Sequence, residues 1–380
     1  MKLLLANLTN GGLSGGYRKY LRKILPLLQK HPAVDELTVL VPPQSEIVRE
    51  LGGVPVAPWP SGDQRRGFEW VKDRVKRLTP DVVFIPTARS AYFPRMPIVS
   101  MIRNMEPLRV PVGGNPFGEV IKNFGRAHSA KKASIDADRI IAVSGHVKEF
   151  LTNKWGLRPE KIGVVYHGVD IPTAPYHSSA FLNLECIVDR RFIFTAGSIR
   201  PARGLEDLLS AFGLVLDAVP GIKLVIAGSI DPGMGAYKSR LEKILKRSGV
   251  VSSVVWTGAL TDMQMSWCYH NCSVFVMTSR AEACPNVVLE AMSHGCISVS
   301  TDTDPMPEFY ADTALYYSAA DHVMLAKAIQ SALALDKSQR MERSANSKSR
   351  AALFSWDVCV NRTIQELVEA VKIFHGSYKE

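Results

Sequence analysis

Two carboxylates at fixed spacing mark the stretch SRAEACPNVVLEAMSHG, Ser279 to Gly295. Glu282 and Glu290 have seven residues between them, with Pro285 after the first and an apolar helical run around the second. Pro285 suits the first turn of a helix that VVLEAM continues, which leaves Glu282 in the preceding loop and puts Glu290 on the helix. Even on one unbroken helix, residues eight apart lie about 12 Å apart along the axis and about 80° apart around it. Paired glycosidase carboxylates stand roughly 5 to 9.5 Å apart, so this spacing argues against an acid/base pair acting on one bond. Two readings stay open. In one, the carboxylates accept hydrogen bonds from ribose and sugar hydroxyls, while the helix start at Pro285, Asn286 and Val287 offers a phosphate the N–H groups of the two residues after the proline, which has none. In the other, this is a capped helix with one solvent-facing glutamate.

Two further turns carry residues of the same chemistry. TAGSIRPARGLEDLL, Thr195 to Leu209, places Arg200 and Arg203 before a helix that begins around Gly204. Two guanidiniums beside a strand end suit a diphosphate, because their fork geometry binds several anionic oxygens at once; the alternative is a pair of exposed arginines. NGGLSGG, Asn10 to Gly16, has glycines at 11, 12, 15 and 16 and satisfies neither the P-loop nor the dinucleotide spacing. Its backbone, Gly15 and Gly16 included, is either an approach to an anion or sugar or a structural turn.

These turns need strands and helices to hold them. KLLLAN, ELTVLVP (36–42), DVVFIP (81–86), IVSMI (98–102) and RIIAVS (139–144) are short apolar runs separated by basic helical segments. After HGVDIPTAPYHSSAF (167–181) the pattern restarts with RFIFTAG (191–197), KLVIAG (223–228), VVWTG (254–258), VFVMTS (274–279) and CISVST (296–301). Continuous apolar strands alternating with helices predict parallel sheets covered on both faces. The expectation is two doubly wound α/β domains, 1–170 and 171–359, joined near 168–180, with a last helix at about 360–380 that packs back on the first. In such sheets ligands bind beyond the carboxyl ends of the strands.

At 380 residues and 46% hydrophobic, the chain is long enough for two domains with cores of their own. No apolar run reaches the roughly 18 to 20 residues of a membrane-spanning helix. LLLA after Met1-Lys2 is short for a signal-peptide core, so the chain reads as cytoplasmic. Cys186, Cys268, Cys272, Cys284, Cys296 and Cys359 include no C-x-x-C pair, which favours buried reduced thiols over disulfides or a zinc site. The net charge of +10 is lopsided: residues 1–180 hold 26 Lys+Arg against 15 Asp+Glu, and residues 181–380 hold 20 against 21. A basic half points to an anionic partner or to a solvated basic surface. It has no aromatic platforms interleaved with its basic residues, which argues against nucleic acid.

Together these pieces resemble the retaining nucleotide-sugar glycosyltransferases of the GT-B architecture, two facing Rossmann-like domains with a cleft between them. EACPNVVLEAM resembles that family's E-x7-E signature, which makes Glu282 the contact to the transferred sugar and Glu290 the contact to the nucleotide ribose. GSIRPARG (197–204) resembles the segment that neutralises the donor diphosphate, with Gly197 at its start, Ser198 in the arginine position and Arg203 in the lysine position; Arg200 is conjectured to supply the missing charge. Gly258, at the end of VVWTG, is assigned to the same donor site. STDTDPMPE (300–308) resembles a loop that usually has two glycines where Asp304 and Pro305 stand. In the first domain NGGLSGG resembles the glycine loop over the donor, and Arg103 and Asn104 occupy the place of a histidine in many relatives; with His146 they are assigned to the acceptor.

The resemblance implies a metal-independent transfer, since Arg200, Arg203 and the helix start at Pro285 to Val287 meet the charge of the leaving diphosphate. No D-x-D metal motif is placed to serve it. UDP-glucose is the first donor to try, and a glycan or lipid-linked saccharide the acceptor. The basic first domain suits an anionic inner membrane face, with YRKYLRKIL, RRGFEWVKDRVKRL and Lys131-Lys132 as contacts. The alternatives are a sugar-nucleotide epimerase of the same architecture and a non-catalytic glycan-binding relative.

Overall fold

The computed structural model describes residues 1–9, 15–42, 50, 53–60, 64–109, 114–172, 187, 190–231 and 233–376. Most of NGGLSGG, and Cys186, lie outside them. The first part of the chain runs β1 Lys2–Ala6, α1 Gly15–Lys30, β2 Glu36–Val41, β3 Val56–Pro58, α2 Gln64–Leu78, β4 Val82–Ile85, β5 Ile98–Ile102, α3 Glu106–Arg109, α4 Phe117–Asp136, β6 Arg139–Ala142, α5 Gly145–Trp155 and β7 Ile162–Val164. The second runs β8 Phe192–Ala196, α6 Leu205–Ala218, β9 Lys223–Ala227, α7 Gly235–Arg247, β10 Val254–Gly258, α8 Asp262–Asn271, β11 Val274–Met277, α9 Asn286–Ser293, β12 Ser298–Thr301, α10 Met306–Tyr310, β13 Ala314–Tyr317, α11 His322–Ala334, α12 Lys337–Ala351 and α13 Trp356–Gly376.

Two sheets result, ordered β3-β2-β1-β4-β5-β6-β7 and β10-β9-β8-β11-β12-β13. Every strand pairing is parallel, as in Leu5↔Phe84 and Phe275↔Ser298. Both are doubly wound, with the strand order reversing between β1 and β4 and between β8 and β11. Those two switch points are where such a sheet opens a crevice for ligand. Three edge strands, β3, β7 and β13, also belong to the sheets, each only three or four residues long.

The chain divides into two compact units. One comprises Met1–Met105, Phe124–Gly168 and Ser355–Glu380; the other comprises Glu106–Asn123 and Val169–Phe354. In the first sheet the chain steps one way from β1 to β3 and the other way from β4 to β7. Right-handed crossovers therefore put α1 on one face and α2, α4 and α5 on the opposite one. α13 shares the face of α1 and packs on it and on β4, β5 and β6. On the other face Val71 and Val75 of α2 join Leu4, Ala6, Val83, Ile85 and Ala137 in one core cluster. In the second unit Leu208 and Phe212 of α6, Leu241 of α7 and Ile329 of α11 bury against Ile193, Leu224 and Val276 of the sheet.

Candidate active site

The second sheet's switch point is built from the turns after β8 and β11. Gly197 follows β8 with φ of 137°, and a Cβ there would sit 2.9 Å from the guanidinium carbon of Arg203. Glycine thus lets that side chain lie across the strand end. Arg203 ends a short 3₁₀ turn, Pro201–Arg203. The next residue, Gly204, has φ of 59°, and a Cβ on it would meet the Thr278 carbonyl at 2.3 Å. Thr278 Oγ1 donates to the Arg203 carbonyl at 2.7 Å, and Arg280 N donates to the Ala202 carbonyl at 2.8 Å. The two turns are stitched together at the residues that carry the chemistry.

Arg203 points into the loop after β11. Its Nη1 donates to Ser279 Oγ at 3.2 Å and forms an ion pair with Glu282, both side chains being mostly buried. The two residues expected at the diphosphate and at the sugar are therefore direct neighbours, and an anion that reaches Arg203 competes with the Glu282 carboxylate for it. Pro285 is the N-cap of α9, one residue earlier than a first-turn position, and the helix begins at Asn286. Val288 N and Leu289 N turn back to the Pro285 carbonyl, which closes the first turn and aims the start of the helix at the loop that carries Glu282.

Glu290 follows on the same helix and accepts a hydrogen bond from Tyr269 Oη at 3.0 Å. Tyr269 is buried among Phe194, Phe275 and His294. Burial, and then the adjacent Glu290 carboxylate, push its phenol well above the ordinary range, so it is a fixed donor. The carbonyl of Glu290 is bound by His294 N, His294 Nδ1 and Ser293 Oγ. Tyr269 has no signal in the sequence: in DMQMSWCYHN it reads as one more helical aromatic.

A second feature without a sequence signal anchors the Glu282 loop. Arg280 Nη2 lies 3.1 Å from Asp207 Oδ1 and 3.8 Å from Glu206 Oε2, both carboxylates being buried in the first turn of α6. Asp207 Oδ2 accepts Ala320 N at 3.1 Å, and Tyr237 Oη donates to Glu206 at 2.7 Å. Acidic residues there also complement the helix dipole.

Arg200 stands apart from this group. Its guanidinium is held by the carboxylates of Glu106 and Asp231, a set of partners different from that of Arg203, so its charge is already balanced. Ser198 is half-buried on the same turn. Gly258, at the end of β10, accepts Gly228 N at 2.8 Å with its own φ at 69°. In the loop after β12, Asp302 accepts a hydrogen bond from Ser318 Oγ at 3.0 Å, and Asp304-Pro305 leads into α10. Among the described residues no three His, Cys, Asp or Glu side chains are grouped to hold a metal. Cys268, Cys272, Cys284, Cys296 and Cys359 are free thiols.

At the first sheet's switch point Gly15 and Gly16 open α1 at the surface and Tyr17 turns inward. Arg103, beyond β5, stacks over the Tyr17 ring at 3.6 Å and donates from Nε to the Pro86 carbonyl at 3.2 Å. Burial lowers its pKa, partly offset by Tyr17. Asn104 beside it is exposed. His146 sits half-buried in the first turn of α5, whose N-cap Ser144 accepts Val147 N at 3.2 Å.

Two doubly wound parallel sheets, with an arginine and two glutamates at the second switch point, define the GT-B class. The crystal structure of Anabaena HepE in complex with UDP-glucose matches it with a TM-score of 0.78 over 97% of this chain and 100% of that one, at 19% identity. Residues 184–350 match the family described as glycosyl transferases group 1 and residues 15–172 match glycosyltransferase family 4. The chain belongs to these glycosyltransferases. D-inositol 3-phosphate glycosyltransferase of Segniliparus rotundus is 24% identical over 64% of this chain and 51% of its own length. Serotype-specific mannosyltransferase WbdA of Escherichia coli is 24% identical over 62% of this chain and 29% of its own. The match thus spans about half the length of the first of these curated relatives and less of the second. Among the described residues no helix is long and apolar enough to cross a membrane.

Proposed function

We propose that this protein is a retaining, metal-independent hexosyltransferase that moves a sugar from a nucleotide diphosphate, UDP-glucose first, to a glycan or lipid-linked acceptor in cell-surface polysaccharide synthesis. The observation that carries the reading is the Arg203–Glu282 ion pair at the β8/β11 switch point, beside the start of α9. The donor diphosphate takes Arg203 from Glu282, and the N–H groups of Asn286 and Val287 share its charge. Glu282 is released toward the sugar, and Glu290, held by Tyr269, binds the ribose hydroxyls. Negative charge grows on the departing diphosphate as the sugar acquires oxocarbenium character, so a fixed cation and N–H groups there lower the barrier without a metal.

Arg200 is better read as a brace between Glu106 and Asp231 than as a diphosphate ligand, because its guanidinium already holds both carboxylates. Arg103, Asn104 and His146 remain the proposed acceptor contacts, and Gly15 and Gly16 the backbone that approaches the donor. The basic first half supports a cytoplasmic location on the inner membrane face. A thermal-shift panel of UDP-, GDP- and ADP-glucose tests the donor assignment: a donor present at a hundred times its Kd stabilises the folded chain by about 2.7 kcal/mol. UDP-glucose is expected to give the largest rise. Recovery of an epimerised nucleotide sugar, with no nucleoside diphosphate released, would establish the epimerase instead.

A further inference from the structure

Buried hydrogen-bond donors collect at the carboxyl ends of β1, β4 and β5. Asn7, the residue after β1, is fully buried; the Thr9 hydroxyl donates to its Oδ1 at 3.0 Å, and its Nδ2 has no partner. Thr87, two residues after β4, is 3% exposed with Oγ1 unpartnered, and Tyr17 in the first turn of α1 is 1% exposed with Oη unpartnered. A buried polar group that bonds to nothing is costly, and these three share the first sheet's switch point. Leu4, Ala6 and Leu8 join the core cluster on the α2 face, as does Ile98 of β5, so the alternation of side chains turns Asn7 and Arg103 to the face that α1 covers. Arg103 starts beyond β5 and stacks on Tyr17, which carries its guanidinium across the end of β4 toward β1. Its Nε holds the carbonyl of Pro86, the residue before Thr87. Among the described residues no carboxylate pairs with Arg103. The groups that act on its charge are the phenols of Tyr17 and Tyr20, which burial pushes well above the ordinary range and so keeps neutral.

We infer that the first switch point is a site for a compact oxyanion, a phosphate or a carboxylate, seated on the Arg103 guanidinium and taking hydrogen bonds from Asn7 Nδ2, Tyr17 Oη and Thr87 Oγ1. A guanidinium with neutral donors around it and no counter-charge matches an acceptor of several hydrogen bonds that is itself negative. A neutral hydroxyl in the same place would leave the cation uncompensated, and a metal ion would be repelled by it. The oxyanion comes either as a free ion or as a substituent of the saccharide acceptor. In the second case the acceptor is an acidic or phosphorylated sugar, a refinement that rests on the acceptor role proposed for Arg103. The site itself lies within the first unit and does not depend on the donor reading.

The test is inorganic phosphate titrated into the full chain at constant ionic strength and followed by thermal shift. Wild type is expected to gain Tm with phosphate and not with chloride. Asn7→Asp sets a carboxylate beside the guanidinium at nearly the same volume, and Arg103→Met removes the cation. Each should weaken phosphate by more than about tenfold, the loss of one charge-assisted bond, while Arg203→Ala at the second switch point should keep the effect. Glucose 6-phosphate, glucuronate and glucose separate the two sources. Stabilisation by an acidic sugar at lower concentration than phosphate, with faster UDP release from UDP-glucose, assigns the oxyanion to the acceptor; stabilisation by phosphate alone assigns a free ion, and either result sustains the site. No UDP release, with the phosphate effect intact, refutes the donor reading and leaves the site standing. A Tm unmoved by phosphate and by both acidic sugars overturns the inference, as does a shift that Arg203→Ala removes and Asn7→Asp keeps.

Discussion

Arg203 and Glu282 neutralise one another in the absence of donor, so each mutation has a signature beyond simple loss of a contact. Arg203→Ala leaves Glu282 without its ion-pair partner in a mostly buried loop and removes the cation that the proposed function sets against the departing diphosphate. Turnover is expected to fall further than donor affinity, because the interaction strengthens as charge develops; steady-state kinetics beside a UDP titration would show it, and an equal loss in both would mean ground-state binding alone. Glu290→Ala should weaken UDP-glucose binding by about 1.5 to 3 kcal/mol for each charge-assisted bond lost to the ribose. Tyr269→Phe should weaken it in the same direction by less, since the carboxylate remains but loses its 3.0 Å donor. Calorimetry checks both, and a Tyr269→Phe variant with unaltered affinity would free Glu290 from the support assigned to it.

The turns, rather than the helices and strands, set the geometry of this site, and the loop after β11 depends on a buried anchor outside it. Removing one partner of a fully buried ion pair costs about 3 to 5 kcal/mol. With its side chain 30% exposed, Arg280 is partly relieved by water, and Arg280→Met is expected to cost about 2 kcal/mol. That corresponds to a fall in Tm of about 4 to 8 °C for a unit of this size, accompanied by a turnover deficit that Arg280→Lys partly restores. Unchanged Tm and turnover would show that the loop does not lean on α6. The strands with apolar runs were legible in the sequence because burial on both faces leaves almost no charged position within them. The edge strands β3, β7 and β13 were not, being only three or four residues long and, in β3 and β13, half-open to water. Glu282, Glu290 and Arg203 stood out in the sequence through a family resemblance, and the structure places them on the turns and helix after β8 and β11. Tyr269, the Glu206/Asp207–Arg280 network and the partners of Arg200 were not, since each depends on segments far apart in the chain meeting in space.

For the whole molecule, the charge is uneven, with 26 Lys+Arg against 15 Asp+Glu in residues 1–180 and 20 against 21 in residues 181–380, and the proposed function sets the basic half toward an anionic surface and the second sheet toward an anionic donor. Composition names the basic segments but not which of their faces are outward, because exposure decides which amphipathic helix is free to meet a partner and exposure is a tertiary property. The central claim is narrower: sugar is transferred from a nucleotide diphosphate at the Arg203–Glu282 site with its anomeric configuration kept. Proton NMR of wild-type protein mixed with UDP-glucose and a glycan acceptor, or with water alone, measures that directly. The account predicts UDP release with the newly formed glucosyl or glucose signal appearing first as the α anomer, and loss of both signals with Arg203→Ala. A β-configured first product, or UDP-glucose left intact by the folded wild-type chain, would contradict it.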